Sequence, residues 1–260
     1  MQTILNADFV KTFFFLLPVC LLLQTSLPDF SSTTKAPVNR SFFRIGDQLI
    51  TLEKFNKQSG NDYVLVDLYN DNAMAQYLAM VMVREEETGL VRLSNSGREV
   101  EADLFDKKVV FDPDAIFTSW GRRLHLKANH CWSKAADEYL QQFARFVLDE
   151  IPEQKTIVMM TEGTPMSEYI SSGGQEKTVK EYHQASVSNA GYFITGDDVI
   201  YNKLKKEGQN VVLQNDRRLE DDGSLEVYCA KTNRSFLKLV NVERAARATD
   251  MLEVMHKVLK

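Results

Sequence analysis

Five short runs of the chain are apolar almost from end to end: "DYVLVDL", "TIVMM", "GYFIT", "NVVLQ" and "FLKLVNVE". A strand with one face in water alternates apolar and polar side chains. A strand covered on both faces has no need to. Between these runs lie segments with helical spacing, among them Ala73 to Glu87 and the run from Ser133 through Val147. Doubly covered strands joined through helices require a sheet with helices packed on each side. The expected fold is therefore α/β: a single domain with a central mixed, largely parallel sheet covered by helices on both faces.

The local signals fill in this frame. "LVRLS" and "REVEA" read as strands separated by Asn95-Ser96-Gly97, a hairpin-type turn signal, and "KKVVF" follows as another strand. Ser133 reads as an N-cap, with Asp137 and Glu138 in the first turns, where carboxylates suit the helix dipole. Leu140, Phe143 and Val147 continue one apolar face. "QEKTVKEYHQAS" reads as a polar helix, "DVIYNKLKKEG" as a short helix closed by Gly208, and "SLEVYCA" as a strand. A last helix runs from Arg244 to Leu259, with Met251, Leu252, Met255 and Leu259 on one face.

The first residues stand apart. "FFFLLPVCLLL" is preceded by Lys11 and is too short to span a bilayer comfortably. Residues 1–26 read as a secretory signal peptide first, an uncleaved N-terminal anchor second and a lipoprotein leader third. Residues 27–41 read as a flexible linker, and 42–260 as the α/β domain. Export places the chain in a secreted or periplasmic setting, or tethers it to a membrane only through this segment. The net charge of −5, with no dense basic patch, argues against nucleic acid as a partner. Export would permit a disulfide between Cys131 and Cys229, but two cysteines far apart in sequence leave that open. Asn39-Arg40-Ser41 and Asn233-Arg234-Ser235 match the glycosylation acceptor pattern.

In open α/β sheets, sites gather beyond the carboxyl ends of the strands. That rule singles out residues 69–72, 112–118, 161–164 and 241–244. No Gly-x-Ser-x-Gly elbow or phosphate loop is present. His183 and His256 read as surface residues, and His125 and His130 as loop or helix-start residues. Asp112 and Asp114 flank Pro113 after a strand, and Asp221-Asp222-Gly223 reads as a turn. Glu243 follows the last strand directly, as a catalytic acid or base or as the first-turn carboxylate of the last helix.

Taken together and in order, "DLYNDN", "FDPDAIFTSWG", "VMMTEGTP", "NVVLQNDRRLEDDGSLEVY" and "LVNVER" resemble the zinc-carboxypeptidase-like fold. They are closer still to a group of exported bacterial proteins of that type. The resemblance runs from about Gly46 to the end of the chain. It implies a zinc ion held by two His and one Glu, an open position for water, a proton-moving Glu and an Arg for the substrate carboxylate.

Carried across residue by residue, the first zinc-binding His falls on Tyr69 and the ligand Glu on Asn72. The Asn-Arg pair falls on Asp114 and Ala115, and the segment of the third ligand on Thr161, Glu162, Gly163 and Thr164. The proton-handling Glu survives as Glu243. A phenol and a neutral amide are poor zinc ligands, so the expectation is no metal and no cofactor here, although active relatives use zinc. The implied reading is an exported, catalytically degenerate relative. It would bind a peptide or cell-wall fragment in a former active-site cleft lined by Tyr69, Asn70, Asn72, Asp114, Thr161 and Glu162. An active amidohydrolase or peptidase with substitute ligands and a purely structural interaction module remain as alternatives. Glu162, Asp114 and Glu243 are the set from which a site for a hard cation would be built.

Overall fold

The computed structural model describes residues 38–56, 59–69, 73–94, 97–104, 106–171, 178–182, 191–214, 220–241 and 248–259. Nine strands form one sheet, in the order β1 (Val38–Ile45), β2 (Gln48–Phe55), β4 (Gly89–Leu93), β3 (Tyr63–Asp67), β7 (Thr156–Glu162), β11 (Phe236–Asn241), β9 (Gly191–Thr195), β10 (Val211–Gln214), β8 (Thr178–Tyr182). β4, β3, β7 and β11 run parallel to one another, as do β9 and β10. The other neighbours are antiparallel, including β11 with β9. The sheet is mixed, with its parallel centre made from the apolar runs of the sequence. Val38–Ser41, within the stretch read as linker, form the first half of β1.

Strand alternation sends side chains to two cores. On one face Tyr63, Leu65, Val158, Phe193, Leu213 and Leu239 pack under α1 (Ala73–Glu85), α5 (Asp198–Lys206) and α7 (Ala248–Leu259). On the other face Val64, Val66, Ile157, Met159, Tyr192 and Phe236 pack under α2 (Ser119–Ala128), α3 (Lys134–Leu148), α4 (Met166–Tyr169) and α6 (Leu225–Lys231). A small ribbon of β5 (Val100–Leu104) and β6 (Lys107–Phe111) joins this second layer. Burying one such Leu or Phe contributes about 1.5–3 kcal/mol, so the doubly covered central strands carry much of the stability.

Several local readings hold. Ser133 caps α3 by accepting from the Ala136 N–H, and Leu140, Phe143 and Val147 are all buried. Gly208 lies just past α5 with φ +70°, a conformation that favours glycine. On α7, Leu252, Met255 and Leu259 are buried. The part of the last helix read from Arg244 to Arg247 lies outside the described residues.

Other readings are corrected. β4 and β5 form no hairpin: β4 is an interior strand between β2 and β3, and β5 pairs with β6 instead; Asn95 and Ser96 of the expected turn lie outside the described residues. β4 is buried at four of its five positions, and a hairpin with polar-alternating β5 would have left one side of it in water. Thr178–Tyr182 of the expected polar helix is strand β8, because pairing with β10 outweighs the local helix pattern. "SLEVYCA" is not a strand. Ser224 caps it as α6 by accepting from the Val227 N–H.

His256 is not a surface residue. Its side chain is 16% exposed, its Nε2 lies 2.8 Å from Glu86, and its Nδ1 is 2.9 Å from the Tyr63 hydroxyl, tying α7 to α1 and β3. His183 lies outside the described residues. Cys131 and Cys229 are both buried free thiols, so the disulfide left open by the sequence is not formed. Among the described residues no helix is long and apolar enough to cross a membrane.

Candidate functional site

The loop after β6 is fixed in place before any polar chemistry is considered. Gly121 and Gly223 meet so closely that a Cβ on Gly121 would sit 1.9 Å from the Gly223 nitrogen. Gly223 has φ +88°, and its carbonyl accepts from the Phe117 N–H at 2.8 Å. Thr118, the N-cap of α2, also donates its hydroxyl to Asp221. Asp221-Asp222-Gly223 is thus the lead-in to α6 rather than a turn between strands. These contacts bring the carboxyl end of β6 against the N-terminus of α6, where Asp114 accepts from the Leu225 N–H at 2.9 Å.

Two of the expected cleft residues come together there. The Tyr69 hydroxyl donates to Asp112 Oδ1 at 2.9 Å, and the same oxygen accepts from the Asp114 N–H at 2.7 Å. The Arg98 guanidinium lies 5.8 Å from the centre of the Tyr69 ring. Burial, together with the Asp114 and Asp112 carboxylates, pushes the Tyr69 phenol far above its ordinary range, so it stays a protonated donor. Loss of water around Asp114 pushes its carboxyl up to about 7, although the nearby Lys238 pulls the other way.

Lys238 is the residue that sequence reasoning missed. It sits in the middle of β11, between Phe236 and Val240 on the face that packs under α6. Its ammonium is 3.0 Å from Glu226, in the first turn of α6. Glu226 holds the Lys238 charge well above the usual lysine range against the opposing effect of burial. Tyr169 and Tyr192 lie beside this pair, with ring centres 5.8 Å apart and ring planes tilted by 41°. Both phenols are raised by burial first, and Glu226 adds to each shift. The available signal was a lone lysine inside an apolar strand, since a buried charge needs a partner.

Thr161 is half-buried and lies level with Val240 of β11. In a parallel pair, neighbours in register share a face, which puts Thr161 on the Lys238 side of the sheet. Glu162 pairs through its backbone with Asn241. Asn70, Asn72 and Glu243 lie outside the described residues.

The described donors do not fit zinc. The Tyr69 hydroxyl is a held donor rather than a phenolate. His125 Nε2 accepts from the Asp112 N–H at 2.9 Å and lies 3.0 Å from the Asn129 amide, so its lone pair is already engaged. His130 is exposed in a turn with φ +54°. Among the described residues no three His, Cys, Asp or Glu side chains converge as a metal site. What the arrangement does offer is a partly buried ion pair, a half-buried carboxyl that titrates near neutrality and three phenol groups.

No family model matches the chain, and no curated protein matches it. A solved structure described as a "putative metallopeptidase" from Shewanella denitrificans OS217 is similar to it. That protein is 13% identical, the likeness covers 85% of this chain and 82% of the other, and the TM-score is 0.42.

Proposed function

We propose that this chain is an exported, catalytically degenerate relative of zinc-carboxypeptidase-like hydrolases. In this reading it binds a peptide or cell-wall fragment in the former cleft, without turnover. The observation that carries the reading is the Tyr69–Asp112 hydrogen bond. The group standing where a zinc ligand is expected donates a hydrogen bond to a neighbour instead of offering a lone pair. Lys238 and Glu226 supply opposite charges for the ends and amides of a peptide. Residues 1–26 act as the export signal or anchor, and the residues between them and β1 as the tether.

The test is elemental analysis of the purified chain after dialysis against a small zinc excess, followed by affinity mass spectrometry with random tripeptides and soluble muropeptides. Less than stoichiometric zinc, a retained peptide and no cleavage product are expected. Stoichiometric zinc or released amino acids would overturn the proposal. The active-hydrolase reading has one observation in its favour, the Asp114 carboxyl near 7, a value suited to proton transfer at neutral pH. Cleavage abolished by Asp114→Asn would establish it.

A further inference from the structure

One window of the sequence has a charge unlike that of the rest. From Ala115 to Ala136 the chain carries Arg122, Arg123, Lys127 and Lys134 and no carboxylate, while its net charge as a whole is −5. Both tryptophans of the chain, Trp120 and Trp132, fall in the same window. Its centre is α2 and the turn that leads to α3. We propose that the outer face of α2 and this turn dock on an anionic lipid surface, a contact separate from the cleft.

A helix turns by about 100° per residue, so Trp120, Arg123, Leu124 and Lys127 share one side of α2. Gly121, Arg122 and Leu126 form the opposite side and are buried. The outer side of such a helix is ordinarily the polar one. Here Trp120 is 60% exposed and Leu124 41% exposed. Lys127 carries the strip into the turn: its ammonium lies 5.6 Å from the centre of the Trp132 ring, and Trp132 is 47% exposed. The cations on this face keep their charge available. Arg122 and Arg123 share Asp137 at 2.6 and 2.9 Å, but the Arg123 side chain is 54% exposed. Lys134 lies 3.7 Å from Glu138 with both side chains largely in water, a pair that contributes little. Among the described residues no carboxylate pairs with Lys127.

Two indoles and a leucine left in water among cations select one kind of partner. Indole rings settle at the level of lipid headgroups, where the ring meets acyl chains and its N–H stays wet. Lysine and arginine stems lie along apolar surface while their charged ends reach the headgroup phosphates. Charge complementarity picks an anionic surface, and the acidic remainder of the chain is kept away from it. A second copy docking by the same face would bring the two cationic strips together. A peptide is held in a groove, whereas this face is the convex side of a single helix.

The experiment is fluorescence titration of the full chain with vesicles that carry brominated acyl chains, made of phosphatidylcholine alone or of phosphatidylcholine with phosphatidylglycerol. The apolar run near the N-terminus contains no tryptophan. Indole quenching therefore reports this face alone, even where that run holds the chain to a vesicle. On the anionic vesicles the emission of Trp120 and Trp132 is expected to move to the blue and to be quenched. On the neutral vesicles the ratio of docked to free face should be lower by about fivefold or more. Lys127→Gln and Lys134→Gln change exposed side chains and should leave the melting temperature in place, while each lowers that ratio on anionic vesicles about fivefold. Unquenched indoles on anionic vesicles would overturn the proposal. So would equal quenching on both kinds of vesicle, or an unchanged ratio in both variants. A blue shift that grows with protein concentration in the absence of lipid would assign the face to a second copy and overturn it as well.

Discussion

Asp114→Asn isolates one half-buried carboxyl and predicts a pH signature. The Asp114 carboxyl rises from an ordinary 3.8 to about 7 in the folded chain, mainly through lost hydration. The folded state therefore holds a proton that the unfolded state has released between those two values. Stability from this group is complete below about pH 3.8 and is lost as pH rises through 7. Each pH unit in that window corresponds to about 1.4 kcal/mol, so the full effect approaches about 4 kcal/mol. Asp114 is half-buried, and solvent relaxation makes that figure an upper bound. An Asn side chain mimics the protonated form and can still accept from the Leu225 N–H. The stability of the variant minus that of the wild type should thus climb by up to about 3 kcal/mol from pH 5 to pH 7, then level off by pH 8. Urea unfolding at each pH, read by the Trp120 and Trp132 fluorescence, measures this difference. A difference that stays flat from pH 5 to pH 8 would mean Asp114 is already ionised at pH 5, and the desolvation argument would fall.

Lys238→Met should cost about 3 kcal/mol at pH 7, because it strands Glu226 in a site where that carboxylate is 11% exposed. The double variant Lys238→Met with Glu226→Gln should recover much of that loss in the same urea assay; a double variant no better than the single would refute the pairing. Gly121→Ala should destabilise the chain by more than about 3 kcal/mol, since the new methyl meets backbone rather than a movable side chain. A melting temperature within a degree of wild type would show that the Gly121–Gly223 junction yields easily.

The layered α/β fold was legible because it rests on a local property. Strands buried on both faces lose their polar alternation, and "TIVMM", "GYFIT" and "NVVLQ" declared themselves as β7, β9 and β10. The failures came where pairing overrode local pattern. "SLEVYCA" carries Val, Tyr and Cys, which suit a strand, yet Ser224 and the contact of the Gly121–Gly223 junction start a helix there. "TVKEY" sits in a polar, helix-like context, yet β10 supplied an open edge for it to pair with. Neither outcome is encoded in spacing, since each depends on a partner distant in sequence.

The site divided along the same line. Tyr69 and Asp114 were found because each follows a strand end, and the structure joins them through Asp112. Lys238 was visible as a cation among apolar neighbours, but its partner was hidden once Glu226 had been read into a strand. A cavity of about 250 Å³ past the carboxyl ends of β9 and β10, with Asp197 and Arg234 in its lining, was out of reach for a more general reason. The rule that sites lie beyond strand carboxyl ends gives one location only when the strands share a direction. Here β9 and β10 oppose β11, so the same rule points to both edges of one sheet. Periodicity identifies strands but carries no sign for their direction, and that sign decides how many clefts a mixed sheet can hold.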